Sequence, residues 1–438
     1  MSVGDAATPN LTAMANLDTA SPQVVVVGGG PGGAATGFWL ARNGVSVLVA
    51  EKKAYPREKT CGDGLTPRAV KQLLDMGFDF DLPDVHRIEG LRAYAGNLKI
   101  EMPWPDHTIY PNWGAVLRRA DLDQEVAAMA ERQGARVMPR TEAVPVVEDG
   151  RLVAVELKTT TAEGTVEVTR VSPRVVVVAD GSLSRFGRAL GTSRRRDYPY
   201  GQAVRAYYAS VNSQDAMLES QLNILDKQGR ELPGYGWIFP LGDGTINVGA
   251  GAVSTSKGWK DFNAAVLLEA YVAGLPDYWE VTEQSRLTRP VGGKLPMAFS
   301  VGPKVGPNWV AVGDSAGAVN PFNGEGIDYA YETGRMAAGF IAEALATNDL
   351  SRLHAYGQAL EDEYGDYHRV ARTFVKVIGN PIVMRSLTKI GIRSRPLMEW
   401  TLKVMANLLE PEERGMSERV YYAIEQAVQT APEPATYT

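Results

Sequence analysis

Val24-Val25-Val26-Val27-Gly28-Gly29-Gly30-Pro31-Gly32-Gly33 is the stretch that decides how this chain folds. Four consecutive valines read as a strand buried on both faces, and the Gly-x-Gly-x-x-Gly that follows opens a predicted helix from Gly33 to Asn43. A second apolar run, Val45 to Ala50, supplies a parallel strand and ends at Glu51. Glycines here let the backbone turn tightly and approach a pyrophosphate, which sits at the helix N-terminus where free N–H groups and the dipole favour negative charge. Glu51 lies about 20 residues beyond the first glycine, where a carboxylate accepts hydrogen bonds from a ribose hydroxyl. Strand, helix, strand and acid together predict dinucleotide binding.

The 438 residues are enough for two or three structural units around large cores. A hydrophobic content of 45% with 22% charged residues is that of an ordinary folded protein, and a net charge of −6 gives no reason to expect nucleic acid as a partner. Cys61 is the sole cysteine, which excludes an internal disulfide framework and points to the cytoplasm. His86, His107, His354 and His368 have no zinc-like spacing, so no metal is expected. Residues 1–22 hold no Lys or Arg and no long apolar core, and read as a mobile tail rather than a targeting segment. A spanning helix needs about 18 apolar residues in a row. The sequence has no such run, which leaves surface attachment as the form of membrane contact open to it.

Beyond Glu51, residues 52–65 form a Pro/Gly-rich loop that leads to a helix with Thr66 as its cap, Pro67 in its first turn and Gly77 as its stop. A second helix is predicted over 121–133, stopped by Gly134, and a hairpin over 151–157 and 165–171. Val175 to Ala179 is another apolar strand, ending in Asp180-Gly181. Residues 201–251 turn β-rich, with strands near 203–211, 221–225, 234–240 and 245–250, which predicts a second, mainly antiparallel unit. The α/β pattern returns with Trp309 to Val312, then Gly313-Asp314 and a long helix over 324–346. From Ser351 onward the chain reads as helical. Between 374 and 403 it interleaves Lys376, Arg385, Lys389, Arg393, Arg395 and Lys403 with Ile382, Val383, Leu387, Ile390, Leu397, Trp400 and Leu402. Such helices either lie on an anionic membrane or pack on the body with a solvated basic face.

Gly28 to Gly33 with Glu51, Asp180-Gly181 and Gly313-Asp314 together resemble the FAD-binding pattern of the flavin hydroxylase superfamily, over roughly residues 23 to 345. Pro56-Arg57-Glu58-Lys59-Thr60-Cys61-Gly62 and Tyr235-Gly236-Trp237-Ile238-Phe239-Pro240 resemble the Pro-x-x-Lys-x-Cys-Gly and Tyr-x-Trp-x-Phe-Pro motifs of the geranylgeranyl reductase family at every fixed position. Residues 61–70, Cys-Gly-Asp-Gly-Leu-Thr-Pro-Arg-Ala-Val, and 320–329, Asn-Pro-Phe-Asn-Gly-Glu-Gly-Ile-Asp-Tyr, are similar to its actinobacterial menaquinone-reducing branch. The resemblance implies an enzyme that saturates isoprenoid double bonds with reduced FAD, in that branch one isoprene unit of the menaquinone tail. The alternatives are a geranylgeranyl diphosphate or other prenyl lipid reductase, an aromatic hydroxylase of the same superfamily, and a flavoprotein that only binds quinones. A halogenase is disfavoured because its second motif is Trp-x-Trp-x-Ile-Pro.

The fold expected is α/β: a discontinuous Rossmann-like FAD-binding domain of the flavin hydroxylase type (23–85, 116–198 and 289–345), an inserted, mainly antiparallel β substrate domain (86–115 and 199–288), and a helical C-terminal extension (346–438). By resemblance, Gly28, Gly30, Pro31, Gly32, Gly33, Glu51 and Lys52 hold the dinucleotide, and Cys61, Gly62, Asp63 and Gly64 lie beside the flavin. Asp180, Gly313 and Asp314 meet its ribityl–pyrophosphate region, and Arg118, with Arg119 as the fallback, meets its phosphates. The backbone N–H groups of Gly326 and Ile327 face the ring, where a helix N-terminus stabilises the anion of reduced flavin.

Tyr235, Trp237 and Phe239 alternate along a strand, so their rings share one face. They are either sheet core or, as the family motif implies, an aromatic wall binding the prenyl tail. Cys61 is the candidate catalytic residue, because a thiol of ordinary pKa is protonated at neutral pH and can give or relay a proton. It is a poor acid for an unactivated alkene, so that step would have to be nearly concerted with hydride delivery. Asp63 serves as an acid only if burial raises its pKa. Trp104 and Trp113 flank a Pro-rich segment and read as core or tunnel lining, and Arg194-Arg195-Arg196 as a solvated linker. The electron donor is NADPH, a ferredoxin or another reductase. The expected place of work is the inner face of the cell membrane, peripherally bound.

Overall fold

The computed structural model describes residues 22–96, 98–379, 391, 393–409, 421–426 and 428. Of the tail expected over residues 1–22, residues 1–21 lie outside these. Val24–Val27 is fully buried and pairs in parallel with Val47–Ala50 on one side and Val175–Val178 on the other. Trp309–Ala311 and Arg136–Met138 extend this sheet in parallel, and the short antiparallel strand Val305–Gly306 ends it. A parallel strand is covered on both faces, which is why these segments are almost wholly apolar. The first helix runs Pro31–Arg42, starting two residues before expectation because Pro31, with φ already helical, serves as an opening residue. The second strand starts at Val47, since the amide of Val45 is still bonded to the carbonyl of Leu40 and closes the helix. The helices Arg119–Gln133 and Ile327–Ala346 pack against the first.

Gly77, at φ +85°, ends the helix Pro67–Met76 as expected. Thr66 precedes that helix but its hydroxyl does not cap it; the hydroxyl donates to the carboxyl of Glu325 instead. The hairpin of Arg151–Thr160 and Val166–Val171 forms as predicted, with Thr141–Glu148 as a third strand.

The second sheet has seven strands, in the order Val291–Pro296, Tyr200–Ala209, Thr245–Val253, Tyr235–Pro240, Met217–Gln221, Gly90–Ala95 and Leu98–Pro103. It is antiparallel except where Met217–Gln221 meets Gly90–Ala95. It extends past residue 288, because Val291–Pro296 pairs with Tyr200–Arg205. The strand predicted near 221–225 divides: Met217–Gln221 stays in the large sheet while Ile224–Leu225 pairs with Glu231–Leu232. One face of this sheet buries Val204, Ile238 and Val248 against Leu267, Leu268 and Tyr271 of the helix Ala264–Ala273. The other face looks toward the nucleotide-type sheet.

Among the described C-terminal residues, helices run over His354–Ile378 and Arg395–Met405, and residues 421–426 are helical too. Met398 and Leu402 of the latter pack with Ile88, Met102 and Trp104. Ile382, Val383, Arg385, Leu387, Lys389 and Ile390, part of the predicted basic apolar surface, lie outside the described residues. Arg194, Arg195 and Arg196 are exposed, as expected of a solvated link.

Candidate active site

A cavity of about 1060 Å³ runs between the two sheets. That exceeds the roughly 300–1000 Å³ of a pocket for one drug-sized molecule, so a cofactor and part of a second ligand have room together. Gly28, at φ +101°, Gly30, Pro31 and Gly32 wall one end. Gly33 stands behind them; a Cβ there would lie 1.8 Å from the carbonyl oxygen of Gly28. The carboxylate of Glu51 accepts from the amides of Gly29 and Lys53, both at 2.9 Å, and so clamps the glycine turn to the end of the second strand. Arg57 reaches Glu51 (3.3 Å) and Asp123 (3.0 Å), and Arg119 donates twice to Asp123 at 2.8 Å. These two arginines bring positive charge to the glycine end.

Several expected residues sit elsewhere. Arg118 does not line the cavity; it pairs with Asp243 and donates to the hydroxyl of Thr245 at 2.6 Å. The helix begins at Arg119, two residues before Asp121, and Arg119, the fallback, lines the cavity in place of Arg118. Lys52 is exposed and paired with Glu142, whereas Lys53 faces the cavity. Asp63 is fully buried behind the wall, bonded by the Tyr207 hydroxyl (2.6 Å), Asn247 Nδ2 (2.7 Å) and the Arg119 amide (3.2 Å). Burial pushes its pKa up against those bonds. Asp180 lines the cavity but holds its own turn, accepting from the Ser184 hydroxyl and the Phe186 amide.

Gly313, Asp314, Gly326 and Ile327 line the cavity as expected. Desolvation raises the pKa of Asp314, and its carboxyl accepts no hydrogen bond among the described residues. It is therefore open to ligand hydroxyls. The helices Pro31–Arg42 and Ile327–Ala346 both begin after a glycine, with no side-chain cap, at this cavity. Their free N–H groups form two anion-favouring ends. A glycine turn with no room for side chains, two arginines, two uncapped helix ends and an unbonded carboxyl fit FAD.

Tyr235, Trp237 and Phe239 face the middle of the cavity, while Ile238 between them is buried in the opposite core. Their ring centroids stand 6.0 and 6.2 Å apart. A Cβ on Gly62 would lie 2.7 Å from Phe239, so only glycine lets the Cys61 loop lie on that ring. Asn247, missed in the sequence, ties the parts together: it accepts from Trp237 Nε1 (3.1 Å) and donates to the Cys61 carbonyl (2.9 Å). Burial pushes the Cys61 thiol up, with Arg119 opposing, so the thiol facing the cavity is neutral. The Tyr235 hydroxyl donates to the Asn323 carbonyl at 2.6 Å. Trp104 lines the cavity, whereas Trp113 packs against Phe80. The far end is apolar, formed by Val370, Phe374, Met398, Leu402, Met405 and Ile424 of the C-terminal segments.

Residues 21–221 match the FAD binding domain family. With the site above, this defines an FAD-dependent oxidoreductase built on the flavin hydroxylase fold. The menaquinone reductase of Mycobacterium tuberculosis is 41% identical over 401 residues, covering 92% of this chain and 95% of the relative. The chain belongs to the menaquinone reductase family. A digeranylgeranylglycerophospholipid reductase of Methanosphaera stadtmanae is 28% identical over 356 residues, 79% of this chain and 84% of that one. Among solved structures, a geranylgeranyl bacteriochlorophyll reductase-like protein of Thermoplasma acidophilum shares the fold, with a TM-score of 0.74 and 22% identity over 92% of this chain and 99% of that one.

Proposed function

We propose that this enzyme saturates a carbon–carbon double bond in the polyprenyl tail of menaquinone. The observation that carries this reading is the continuity of one cavity, from the glycine turn past three aromatic rings to an apolar end walled by the C-terminal helices. Reduced FAD, when bound, supplies a hydride. The chain's own residues do the rest. Gly28, Gly30, Pro31, Gly32, Glu51, Arg57, Arg119 and Asp314 hold and orient the dinucleotide, while Tyr235, Trp237 and Phe239 press the tail toward it and exclude water. Dryness matters because an unactivated alkene accepts hydride only as a proton arrives nearly together with it.

Among the described residues no helix is long and apolar enough to cross a membrane. Val377, Leu397 and Ile424, each more than a third exposed, nonetheless rim the apolar end of the cavity, and Lys376, Arg393 and Arg395 are exposed in the same segments. This combination supports entry of the tail from an anionic membrane surface. The test is anaerobic: reduce the FAD-loaded protein with dithionite, add fully unsaturated menaquinone in detergent, reoxidise the head group and read the product mass. A gain of about two mass units in the tail is expected of one added hydrogen pair. An unchanged tail in protein that still holds FAD overturns the menaquinone assignment and directs the same assay to geranylgeranyl lipids.

A further inference from the structure

We propose that Glu325 is the acid that protonates the tail alkene, and that Asp328 and Glu332 behind it bring in the replacement proton from the surface. The inference rests on the reductase reading above.

Glu325 lies in the turn before the helix Ile327–Ala346 and lines the cavity between Gly324 and Gly326. The same turn accepts the Tyr235 hydroxyl on the Asn323 carbonyl, so the carboxyl sits at one end of the aromatic wall. It is held in place by neutral groups alone: the Thr66 hydroxyl donates to one oxygen and Asn323 Nδ2 to the other at 3.2 Å. Among the described residues it has no ion-pair partner. Enclosure raises its pKa to about 7, against the Thr66 and Asn323 hydrogen bonds and Arg68, with Glu332 reinforcing. A carboxyl that holds its proton up to about pH 7 thus stands where the substrate passes.

Asp328, three residues on and in the first turn of that helix, is fully buried, and neither carboxyl oxygen has a hydrogen-bond partner among the described residues. Burial and the neighbouring Glu325 and Glu332 push it well above the carboxylate range, against Arg68. It carries a proton with no structural bond to make. Glu332, on the same helix face, accepts from Arg68 Nη2 and the Tyr364 hydroxyl, both at 2.8 Å. It opens on a second hollow of about 600 Å³ at the surface, with Gln72, Arg335 and Glu343 on its walls. The other titratable groups facing this line are Glu363, on the wall of the surface hollow, and the tyrosines Tyr110, Tyr235, Tyr329 and Tyr364, which burial holds protonated.

In the step, the O–H bond of Glu325 breaks and the π pair of the alkene forms a C–H bond to that proton. The second alkene carbon takes a hydride from the reduced flavin, so the alkene is reduced and the cofactor oxidised. Glu325, left as a carboxylate, regains its proton through Asp328 from the solvent-facing hollow. A carboxylic acid is intrinsically the stronger donor than a thiol, by about 4 pKa units in model compounds. That assigns the neutral Cys61 a positioning part in the loop beside the cavity.

The test compares wild type, Glu325→Gln and Asp328→Asn as FAD-loaded proteins. E325Q is expected to keep its FAD content and quinone binding while kcat for tail saturation falls roughly 100- to 10,000-fold, the range for loss of a general acid. The infrared difference spectrum between wild type and E325Q at neutral pH should contain the carbonyl band of a protonated carboxyl. D328N should match wild type in the first turnover and lag in those that follow. If E325Q does not fold, Glu325→Asp replaces it, with reduced kcat and a rate that still falls as pH rises through the acid's range. Wild-type kcat in E325Q, absence of the infrared band, or a wild-type rate flat in pH overturns the inference while leaving the reductase intact. Failure of wild type itself to saturate the tail removes the reductase reading, and this inference with it.

Discussion

At its nucleotide end the cavity is walled by backbone and charge: Gly28 to Gly32, the Glu51 clamp and the paired Arg57 and Arg119. At its tail end it is walled by rings and alkyl chains such as Leu91, Trp104, Leu218, Phe239, Phe374, Leu402 and Ile424, brought together from distant parts of the chain. The first end gains its shape from what is missing, since a single Cβ collides with a carbonyl oxygen. The second gains its shape from large side chains that can be trimmed or exchanged. A pyrophosphate demands fixed N–H directions, whereas a flexible apolar tail demands volume and dryness. The contrast explains why one end should respond to substitution as a switch and the other as a dial.

The largest effect is expected at Gly33. Its Cβ would lie 1.8 Å from backbone that cannot give, so Gly33→Ala should cost about 3 kcal/mol and weaken FAD binding at least a hundredfold. Flavin absorbance per protein measures this; full FAD occupancy would break the contrast. Phe239→Ala should keep FAD and lower kcat/KM for the quinone roughly 30-fold, or about 2 kcal/mol. Loss of flavin in that variant would show that the wall serves the cofactor instead.

The tail-end sheet also hides a carboxyl. Glu219, 1% exposed and bonded by Trp279 Nε1 at 3.0 Å, is pushed up to about 7 chiefly by desolvation. A carboxyl whose folded pKa is raised stabilises the fold in its protonated form. The contribution is complete below the unfolded value near 4.5 and is lost as pH rises through about 7. Between pH 5 and 8 wild type should lose about 2 kcal/mol relative to Glu219→Gln, read from urea midpoints. Parallel pH curves would contradict it. The smallest effect is expected for Cys61→Ser: a decrease in kcat of less than about tenfold, or roughly 1 kcal/mol, with flavin content kept. A loss as deep as that of E325Q would move the acid role to the thiol.

The glycine end was legible in the sequence because its geometry is local: Val24 to Gly33 and Glu51 fall within one βαβ unit, although Glu51, expected to meet a ribose hydroxyl, accepts from the Gly29 and Lys53 amides instead. The alternation of Tyr235, Trp237 and Phe239 likewise predicted their shared face, which the buried Ile238 on the opposite side bears out. Errors arose where one residue of register or a distant partner decides. Arg119 instead of Arg118 faces inward because the helix starts there and Asp123, four residues on, receives both of its donors. Lys53 instead of Lys52 follows from the alternation just past a strand end. Thr66 reads as a helix cap until Glu325, far away in the chain, claims its hydroxyl. Arg57, Asn247 and Glu325 carry local motifs too weak to mark them; only the closure of the second sheet and the Asn320–Gly326 turn over the cavity brings them together.

The central claim is that both ends belong to one reaction space, with reducing equivalents passing from the glycine end into the tail. The most direct measurement is an anaerobic single turnover, in which protein carrying one equivalent of reduced FAD is mixed with menaquinone. Flavin oxidation is followed by absorbance and tail saturation by mass. One saturated bond per flavin oxidised is the predicted result. Flavin oxidised with the tail unchanged would mean that the electrons went to the quinone head, and would contradict the account.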